Sequence, residues 1–242
     1  MDSIILAGGF AKRMLPLTKD IPKQLLKVGN KPMLSHVLSS LEKVNPDRVI
    51  ISVNSLFESN FEKFVDSYDG SLNLQIFVEP SFKEEEKLGA LGALNLIFTK
   101  LEIRGPIFIV GGDNLSDFDL RLMKLSFERT KKDIIGLYDV ENYNLASLYG
   151  IANQQDDRII DFIEKPKKPQ STLAATAYWI LSESGVSNFF DYIKSGGNRD
   201  AMGNFLAWNV KRHDVRSVVF KGRWFDIGSL ESYDDAQNWV SG

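Results

Sequence analysis

The sequence predicts an α/β fold in which helices cover both faces of a doubly wound, mostly parallel sheet. Two features predict it. Short apolar runs of strand length alternate with segments whose apolar residues recur at helical spacing, which is the pattern of successive βαβ units. The composition, with 43% hydrophobic and 25% charged residues over 242 positions, is ordinary for a globular protein that buries a substantial core.

The first half of the chain carries the clearest alternation. Predicted strands lie at 3–7, 48–53, 74–78 and 107–110, and predicted helices lie at 33–44, 57–65 and 89–100. Ligands of such sheets bind beyond the carboxyl ends of the strands. The loops that follow these four strands should therefore share one rim of the sheet.

The second half arranges its elements differently. Predicted strands lie at 134–140, 159–163, 172–181 and 215–220, and predicted helices lie at 182–194, 200–211 and 229–240. No internal repeat, low-complexity segment or linker-like stretch interrupts the sequence. We therefore predict a single domain over residues 1–242 whose later part supplies a substrate-binding lobe.

The composition excludes several classes of site and partner. The absence of cysteine excludes disulfides, zinc–thiolate sites and thiol nucleophiles, and the two histidines, His36 and His213, suit structural or surface roles. A net charge of −3 offers no basic excess for nucleic acid. No apolar run approaches the ~20 residues of a membrane helix, and the first residues lack the pattern of a signal peptide. The expected location is the cytoplasm, away from membranes.

The most informative stretch is LAGGFAKRMLPLTKDIPKQLL, residues 6–26. A predicted strand runs into Gly8 and Gly9, where backbone amides can approach a ligand closely and hold phosphate oxygens. The same loop carries four cations, Lys12, Arg13, Lys19 and Lys23. Two glycines alone would suit an ordinary tight turn better than a ligand site, but the added cations favour a phosphate site. The GxxxxGK[ST] and GxGxxG phosphate loops are both absent.

This stretch resembles the signature of the sugar-1-phosphate nucleotidyltransferases, or NDP-sugar pyrophosphorylases, roughly LAGGxGTRLxPLTxxxPKxLLPVxxKP. The matching positions are LAGG, Arg13, Pro16-Leu17-Thr18, Pro22-Lys23, Leu25-Leu26, Val28 and Lys31-Pro32. The chain looks closest to glucose-1-phosphate thymidylyltransferases. The resemblance implies a Rossmann-like sheet of the nucleotidyltransferase type, with a nucleotide-binding part over about 1–130 and a sugar-binding part over about 131–242. It also implies Mg²⁺ as cofactor and leaves room for a homo-oligomer.

The resemblance assigns the phosphate and nucleotide contacts. Arg13 and Lys23 would be catalytic, contacting the phosphates of the triphosphate and the sugar phosphate. Further nucleotide contacts would come from Leu6, Ala7, Gly8, Gly9, Lys12, Glu79, Leu88 and Gly89. Residues 88–94, LGALGAL, resemble the LGTAGAL segment that contacts the base and ribose, although a closely packed helix start would look the same. Ala11-Lys12 replaces the usual Gly-Thr, and because alanine disfavours positive φ, the loop's path could differ.

Two aspartates match the metal ligands of the family, and the resemblance makes them catalytic residues together with Arg13 and Lys23. Residues 107–114, IFIVGGDN, resemble a strand that ends in a metal-binding aspartate, here Asp113. WFDIG, residues 224–228, resembles the element that supplies the second carboxylate, here Asp226. Carboxylates suit a hard cation such as Mg²⁺. An unpaired charge between bulky apolar neighbours would be costly, which also favours a metal partner for Asp226.

The sugar 1-phosphate contacts also follow from the resemblance. They are Tyr149, Gly150, Glu164, Lys165 and Thr176. Glu164 would accept hydrogen bonds from sugar hydroxyls, and Lys165 would bind the phosphate. Taken alone, Glu-Lys-Pro at 164–166 suits a solvated loop. Thr176 stands where glycine is usual, which affects the shape of the expected sugar pocket.

The implied reaction joins a nucleoside triphosphate to a sugar 1-phosphate and releases pyrophosphate. The nucleophile is already an anion, so no general base is needed, in agreement with the lack of a plausible Ser-His or Cys-His pair. The alternatives are a mannose- or other sugar-1-phosphate guanylyl- or uridylyltransferase, a non-catalytic nucleotide-sugar-binding relative, and a phosphocholine cytidylyltransferase. A dehydrogenase would need the missing GxGxxG pattern.

The identity of the base is the least determined feature. Thymidylyl- and uridylyltransferases often place a glutamine before the LGTAGAL-like segment, whereas this sequence offers Glu79 and Glu86. A carboxylate only accepts hydrogen bonds, so it would suit the two adjacent donors of guanine. The alternative is that both glutamates are solvated in a charged loop.

Overall fold

The structure is a computed structural model that describes residues 1–241, and its backbone forms two compact units. The first unit comprises Met1–Lys87, Val110–Phe118 and the chain from Gly222 onward. The second comprises Leu88–Ile109 and Asp119–Lys221. Each unit is thus assembled from separate stretches of sequence. The single domain predicted over 1–242, with parts that meet near residue 130, stays a prediction.

The first unit contains strands that pair in parallel. Its larger strands are β1 (Asp2–Leu6), β4 (Val49–Asn54), β5 (Leu74–Glu79) and the end of β6 (Ile107–Gly111), in the order β5-β4-β1-β6. β1 pairs with β4 in parallel, and β4 pairs with β5 in parallel. β4 reads VIISVN and is buried at every position, as expected for a parallel strand covered on both faces.

Three helices and four short strands complete the first unit. They are β2 (Lys27–Val28), β3 (Lys31–Pro32), α1 (Met33–Glu42), α2 (Glu58–Asp66), β7 (Asn114–Ser116), β13 (Trp224–Asp226) and α8 (Leu230–Ser241). An apolar cluster ties α8 to the loop after β1. It contains Met14, Leu26, Val28, Met33, Leu115, Ile227 and Ala236. Because Met14 is fully buried there, the cationic loop is anchored at its centre.

The ribbon of β7 and β13 joins two distant parts of the sequence. The strands are antiparallel, and Asp226 lies opposite Asn114. The amide of Ile227 extends the pairing by donating to the carbonyl of Asp113 over 3.0 Å. This ribbon therefore brings the two aspartates predicted to bind metal beside each other.

The second unit carries a sheet of mixed direction. Its elements are α3 (Ala90–Lys100), the start of β6, α4 (Arg121–Thr130), β8 (Asp133–Asp139), α5 (Tyr143–Ala146), β9 (Gly150–Gln155), β10 (Arg158–Glu164), β11 (Leu173–Leu181), α6 (Glu183–Lys194), α7 (Met202–Asn209) and β12 (Val215–Phe220). The order is β6-β11-β8-β12-β10-β9. β12 is parallel to β8, but β11 is antiparallel to β8, and β10 is antiparallel to β12 and β9. The mostly parallel arrangement predicted from the alternation thus describes the first unit better than the second.

A buried acid connects three elements of the second unit. Asp133, at the start of β8, accepts hydrogen bonds from the backbone and hydroxyl of Ser182 at 2.9 and 2.7 Å and from Asn209 at 2.9 Å. Ser182 also caps the first turn of α6 through the amide of Gly185. Burial raises the pKa of the Asp133 carboxyl, and these hydrogen bonds oppose the rise. The role of Asp133 is therefore to hold α6 and α7 against the sheet.

The predicted elements agree with the observed ones to within about two residues at each end. Helix α4 was not predicted, because Leu122 and Leu125 lie exposed on its outer face and blur the helical spacing of its apolar residues. Among residues 1–241, no helix has the length and apolar character needed to cross a membrane.

Candidate active site

An ion pair lies just beyond the carboxyl end of β6. The Nζ atom of Lys23 stands 2.6 Å from Oδ2 of Asp113. Lys23 follows the LAGG loop, and its side chain is only 10% exposed. A lysine is rarely this buried without a partner, and Asp113 is that partner. Two residues assigned catalytic roles from the sequence are therefore in direct contact.

The electrostatic setting of Asp113 keeps it ionised. Burial alone would raise the pKa of its carboxyl, but the charge of Lys23 and hydrogen bonds from Lys23 and Asn114 outweigh it and hold the pKa below its ordinary value. Asp113 therefore stays a carboxylate at neutral pH.

Asn114 links Asp113 to Asp226. Its side-chain nitrogen Nδ2 donates to Oδ1 of Asp113 at 3.1 Å and to Oδ1 of Asp226 at 3.3 Å. Its Oδ1 accepts a 2.7 Å hydrogen bond from the indole nitrogen of Trp224. The two aspartates, 113 positions apart in sequence, thus contact one amide group.

The acid pair has the donor set that Mg²⁺ prefers. In the part of the chain that the structure describes, no group of three or more His, Cys, Asp or Glu side chains is arranged to hold a metal. Mg²⁺ does not need such a cage, because it commonly binds one or two carboxylates, waters and substrate phosphates. Asp113 and Asp226 fit that requirement. Asp226 is exposed, however, so the cost of enclosing its charge between apolar neighbours, which was expected from the sequence, does not arise.

The loop after β1 places main-chain atoms close to the Lys23–Asp113 ion pair. The backbone groups of Leu6 and Ala7 are used within the sheet, where the Leu6 carbonyl accepts from Gly112 and the Ala7 amide donates to Ser52. Beyond them the strand pairing ends. A Cβ on Gly8 would stand 2.2 Å from Oε1 of Glu79, whereas one on Gly9 would meet nothing within 4 Å. Gly8 is therefore required by packing, and Gly9 leaves open space for a ligand.

Ala11 adopts the left-handed conformation, with φ 50° and ψ 40°. Such a conformation costs an alanine about 1–2 kcal/mol relative to glycine. Two hydrogen bonds to its carbonyl hold it there, one from the amide of Met14 at 2.9 Å and one from the hydroxyl of Thr18 at 3.0 Å. The replacement of glycine by alanine therefore does not abolish the positive φ at this position.

The other three cations of the loop, Lys12, Arg13 and Lys19, are exposed. The guanidinium of Arg13 lies beside Gly228, two residues after Asp226, where a Cβ would stand 3.1 Å from one of its nitrogens. Lys12 pairs with Glu85 at 3.4 Å, and both side chains are largely exposed. A pair of this kind contributes little stability, so Lys12 can exchange its partner for a phosphate.

Glu79 is buried rather than solvated, which corrects the alternative considered from the sequence. It ends β5, and its Oε1 accepts a 2.7 Å hydrogen bond from the hydroxyl of Ser52. Burial raises the pKa of its carboxyl, while the Ser52 hydrogen bond opposes the rise. Glu86, in contrast, lies in a short charged turn and caps the amide of Phe82 at 2.9 Å.

In the second unit, the structure brings four predicted sugar-site residues together. β9 begins at Gly150, opposite Glu164 at the end of β10, and the amide of Lys165 donates to the carbonyl of Tyr149 at 3.0 Å. The Glu164 carboxylate fills a narrow slot, because a Cβ on Gly150 or Gly203 would stand 2.7 or 1.9 Å from its Oε2. Burial raises the pKa of this carboxyl, and the charge of Lys165 opposes the rise.

The LGALGAL segment begins α3 with Gly89 in a conformation that only glycine adopts readily, with φ 72° and ψ 164°. The first amides of the helix, from Ala90 to Gly92, donate to the carbonyls of Arg199 and Asp200 over 2.8–3.2 Å. Leu88 packs against Gly92. The turn at Leu88-Gly89 is thus held in place by the 199–200 segment.

Thr176 is buried inside the sheet of the second unit. Its hydroxyl donates to the carbonyl of Gly136 at 2.8 Å, and a Cβ on Gly136 would clash with that hydroxyl at the same distance. The Thr176 hydroxyl is therefore already hydrogen-bonded within the protein. The role of Thr176 in sugar binding stays a prediction.

Three polar side chains of the first unit lie at this site although no sequence motif assigns them a role. They are Gln24, Ser52 and Asn114. Gln24 is 2% exposed, and among the described residues none donates to its Oε1. Its position beside Lys23, in the loop predicted to bind phosphate, was the available signal. Asn114 follows Asp113 directly, but nothing in the sequence indicated that its amide contacts Asp226.

The chain is similar to known proteins in both sequence and fold. The chain is 28% identical to a D-glycero-alpha-D-manno-heptose 1-phosphate guanylyltransferase of Campylobacter jejuni, covering 96% of this chain and 97% of that protein. It is 28% identical to mannose-1-phosphate guanylyltransferase 1 of Arabidopsis thaliana, covering 96% of this chain but only 63% of that longer protein.

A solved structure from Bacillus anthracis, described as a glucose-1-phosphate thymidylyltransferase in complex with sucrose, superposes with a TM-score of 0.84. Its sequence is 27% identical, and the match covers 99% of this chain and 95% of that one. The sequence also matches the family described as nucleotidyl transferase over residues 2–241, nearly its full length. The chain therefore belongs to the nucleotidyl transferase family.

Proposed function

We propose that this protein transfers a nucleotidyl group from a nucleoside triphosphate to a sugar 1-phosphate and releases pyrophosphate. The observation that carries the proposal is the cluster of Lys23, Asp113 and Asp226 beyond the carboxyl end of β6. A buried cation and a pair of carboxylates, beside a glycine loop, suit the binding of phosphates and a hard metal ion.

The chemistry requires charge neutralisation more than proton transfer. A sugar-phosphate oxygen attacks the α-phosphorus, the bond from that phosphorus to the bridging oxygen breaks, and pyrophosphate leaves with the electron pair. Asp113 and Asp226 would hold Mg²⁺, which supplies Lewis-acid neutralisation of phosphate charge when bound. Arg13 and Lys23 add fixed positive charge, and the Gly8-Gly9 loop orients the triphosphate.

The second unit would bind the sugar 1-phosphate. Glu164 is supported for this role by its slot between two glycines, which fixes the carboxylate, and by its position next to the cation of Lys165. An ionised carboxylate accepts hydrogen bonds from hydroxyls, and an ammonium group binds phosphate. A cytoplasmic location and a homo-oligomeric state stay predictions.

The direct test is a substrate matrix. Five nucleoside triphosphates would be combined with glucose, mannose, N-acetylglucosamine and heptose 1-phosphates, and pyrophosphate release would be measured with and without Mg²⁺. We expect release only when the metal and both substrates are present. Binding of nucleotides without pyrophosphate release from any pair would instead favour a non-catalytic relative.

Guanine is the base that Glu79 favours, although the motifs of the sequence resemble those of thymidylyltransferases. We expect Glu79→Gln to lower the ratio of kcat/KM for GTP over dTTP by about 10–100-fold, as for one hydrogen bond to a charged group. The reason is that guanine presents two donors to a carboxylate, whereas a glutamine amide would place its own donor against them.

Glu86→Gln is the matched control for this variant, because Glu86 is an exposed glutamate that caps a local amide. It should leave the GTP-to-dTTP ratio unchanged. If Glu79→Gln lowered both kcat/KM values equally, Glu79 would serve only to support Gly8, and the base would be read elsewhere.

A further inference from the structure

We propose that Asn114 is a positioning residue that holds Asp113 and Asp226 as a metal-binding pair, and that Trp224 fixes the orientation of its amide. This inference rests on the proposed function, since it assigns the two aspartates to a divalent cation. Asn114 itself would not touch the metal or the substrates. Its effect would be exerted through the carboxylates.

The hydrogen bonds of Asn114 use its whole amide nitrogen. A carboxamide NH₂ group has two hydrogens. One is directed to Oδ1 of Asp113 at 3.1 Å and the other to Oδ1 of Asp226 at 3.3 Å. Asn114 is 3% exposed, so its amide has little access to water, although the Asp226 carboxylate that it contacts is exposed. One oxygen of each carboxylate is therefore fixed by the same group.

The orientation of the amide follows from its third contact. An indole nitrogen can only donate, so the atom that faces Trp224 Nε1 at 2.7 Å must be the amide oxygen. The amide nitrogen then faces the aspartates. Without this contact the two ends of the carboxamide could exchange, and its oxygen would repel both carboxylates.

The backbone alone would not achieve this arrangement. The β7–β13 pairing places Asp226 opposite Asn114, and the Ile227 amide contacts the Asp113 carbonyl. These bonds set the main chain but leave side-chain torsions free. Two neighbouring carboxylates repel each other, and Lys23 neutralises Asp113 through its Oδ2. The amide nitrogen of Asn114, which donates to both carboxylates, holds them close together in the absence of a cation.

The test measures binding of Mn²⁺, a paramagnetic substitute for Mg²⁺, to the full chain by electron paramagnetic resonance. We expect Asn114→Ala to raise the Kd for Mn²⁺ by about 10–100-fold, as for other groups that orient metal ligands. Trp224→Phe, which keeps an aromatic ring but removes the donor, should raise it by about fivefold, as for one neutral hydrogen bond. In turnover assays both variants should need more metal, with kcat largely restored at saturating Mn²⁺.

The chain offers a control for each change. Asn73→Ala removes an exposed asparagine side chain, and Trp208→Phe alters a tryptophan that stacks with Arg212. Neither should change the Kd for Mn²⁺. Thermal melting of every variant identifies loss of folding. If Asn114→Ala does not fold, the Kd of the Trp224→Phe variant for Mn²⁺ is the test.

The outcomes separate this inference from the proposed function. Wild-type affinity for Mn²⁺ in folded Asn114→Ala would overturn the positioning role and leave the proposed reaction intact. Loss of kcat at saturating metal in that variant would also overturn the positioning role, because Asn114 would then act on the substrates. Failure of the wild-type protein to bind Mn²⁺ would overturn the positioning role, whereas the proposed reaction is decided separately by pyrophosphate release in the substrate matrix.

Discussion

Replacing either aspartate by asparagine is expected to nearly abolish turnover. Asp113→Asn and Asp226→Asn keep the side-chain shape but remove the negative charge that would hold Mg²⁺. Loss of metal-based charge stabilisation is worth several kcal/mol, so kcat should fall by about 10³-fold or more in each variant. Pyrophosphate release would be measured in Mg²⁺ with the best substrate pair, alongside Mn²⁺ binding.

The two variants differ in their expected effect on folding. Asp113→Asn leaves the buried Lys23 without an anionic partner, and an unpaired buried charge is destabilising. Its melting temperature should therefore fall, and assays should be made well below it. Asp66→Asn, an exposed aspartate at the end of α2, is the matched control and should keep full activity. Near-normal Mg²⁺-dependent activity in a folded Asp113→Asn or Asp226→Asn protein would remove that residue from the proposed site.

Most of the fold could be predicted because its core elements carry strong periodic signals. The buried run of β4 and the helical spacing of Met33, Leu34, Val37 and Leu38 in α1 left little ambiguity. The ribbon of β7 and β13 was not predictable in the same way. Each strand has only three residues, too few for a periodic pattern, and their pairing is a long-range contact.

In the candidate site, too, the residues within continuous motifs could be predicted, whereas the contacts between distant motifs could not. Lys23, Asp113 and Asp226 could be identified from motifs, because each motif lies within a continuous stretch of sequence. The contacts among them depend on the ribbon, so neither the shared amide of Asn114 nor the indole that orients it could be inferred. The alternative of a solvated Glu79 arose because its neighbours at 83–87 are charged, whereas Glu79 ends a strand and points beneath Gly8.

Ala11 shows how a local rule can fail, because it adopts a positive φ that alanine disfavours. Alanine in the left-handed region is unfavourable, which suggested a different path for the chain. The hydrogen bonds from Met14 and Thr18, together with the full burial of Met14, stabilise the strained residue. Such tertiary compensation is invisible in a sequence pattern, because it depends on where the loop packs.

Arg13→Ala should lower kcat/KM by about 2–4 kcal/mol, or roughly 30- to 1000-fold, with little change in melting temperature. The guanidinium is exposed and lies beside Gly228, so its removal breaks no core contact but deletes a charge that stabilises the transferring phosphate. Arg13→Lys should recover part of the loss, because an ammonium group keeps the charge without the two-pronged geometry.

Lys23→Ala should be as inactive but also less stable, since it leaves Asp113 unpaired in a half-buried site. Arg121→Ala, which removes an exposed arginine paired with Asp119, is the matched control. Unchanged kcat/KM in Arg13→Ala would mean that the loop holds phosphate through its backbone and Lys23 alone, and the role assigned to Arg13 would be withdrawn.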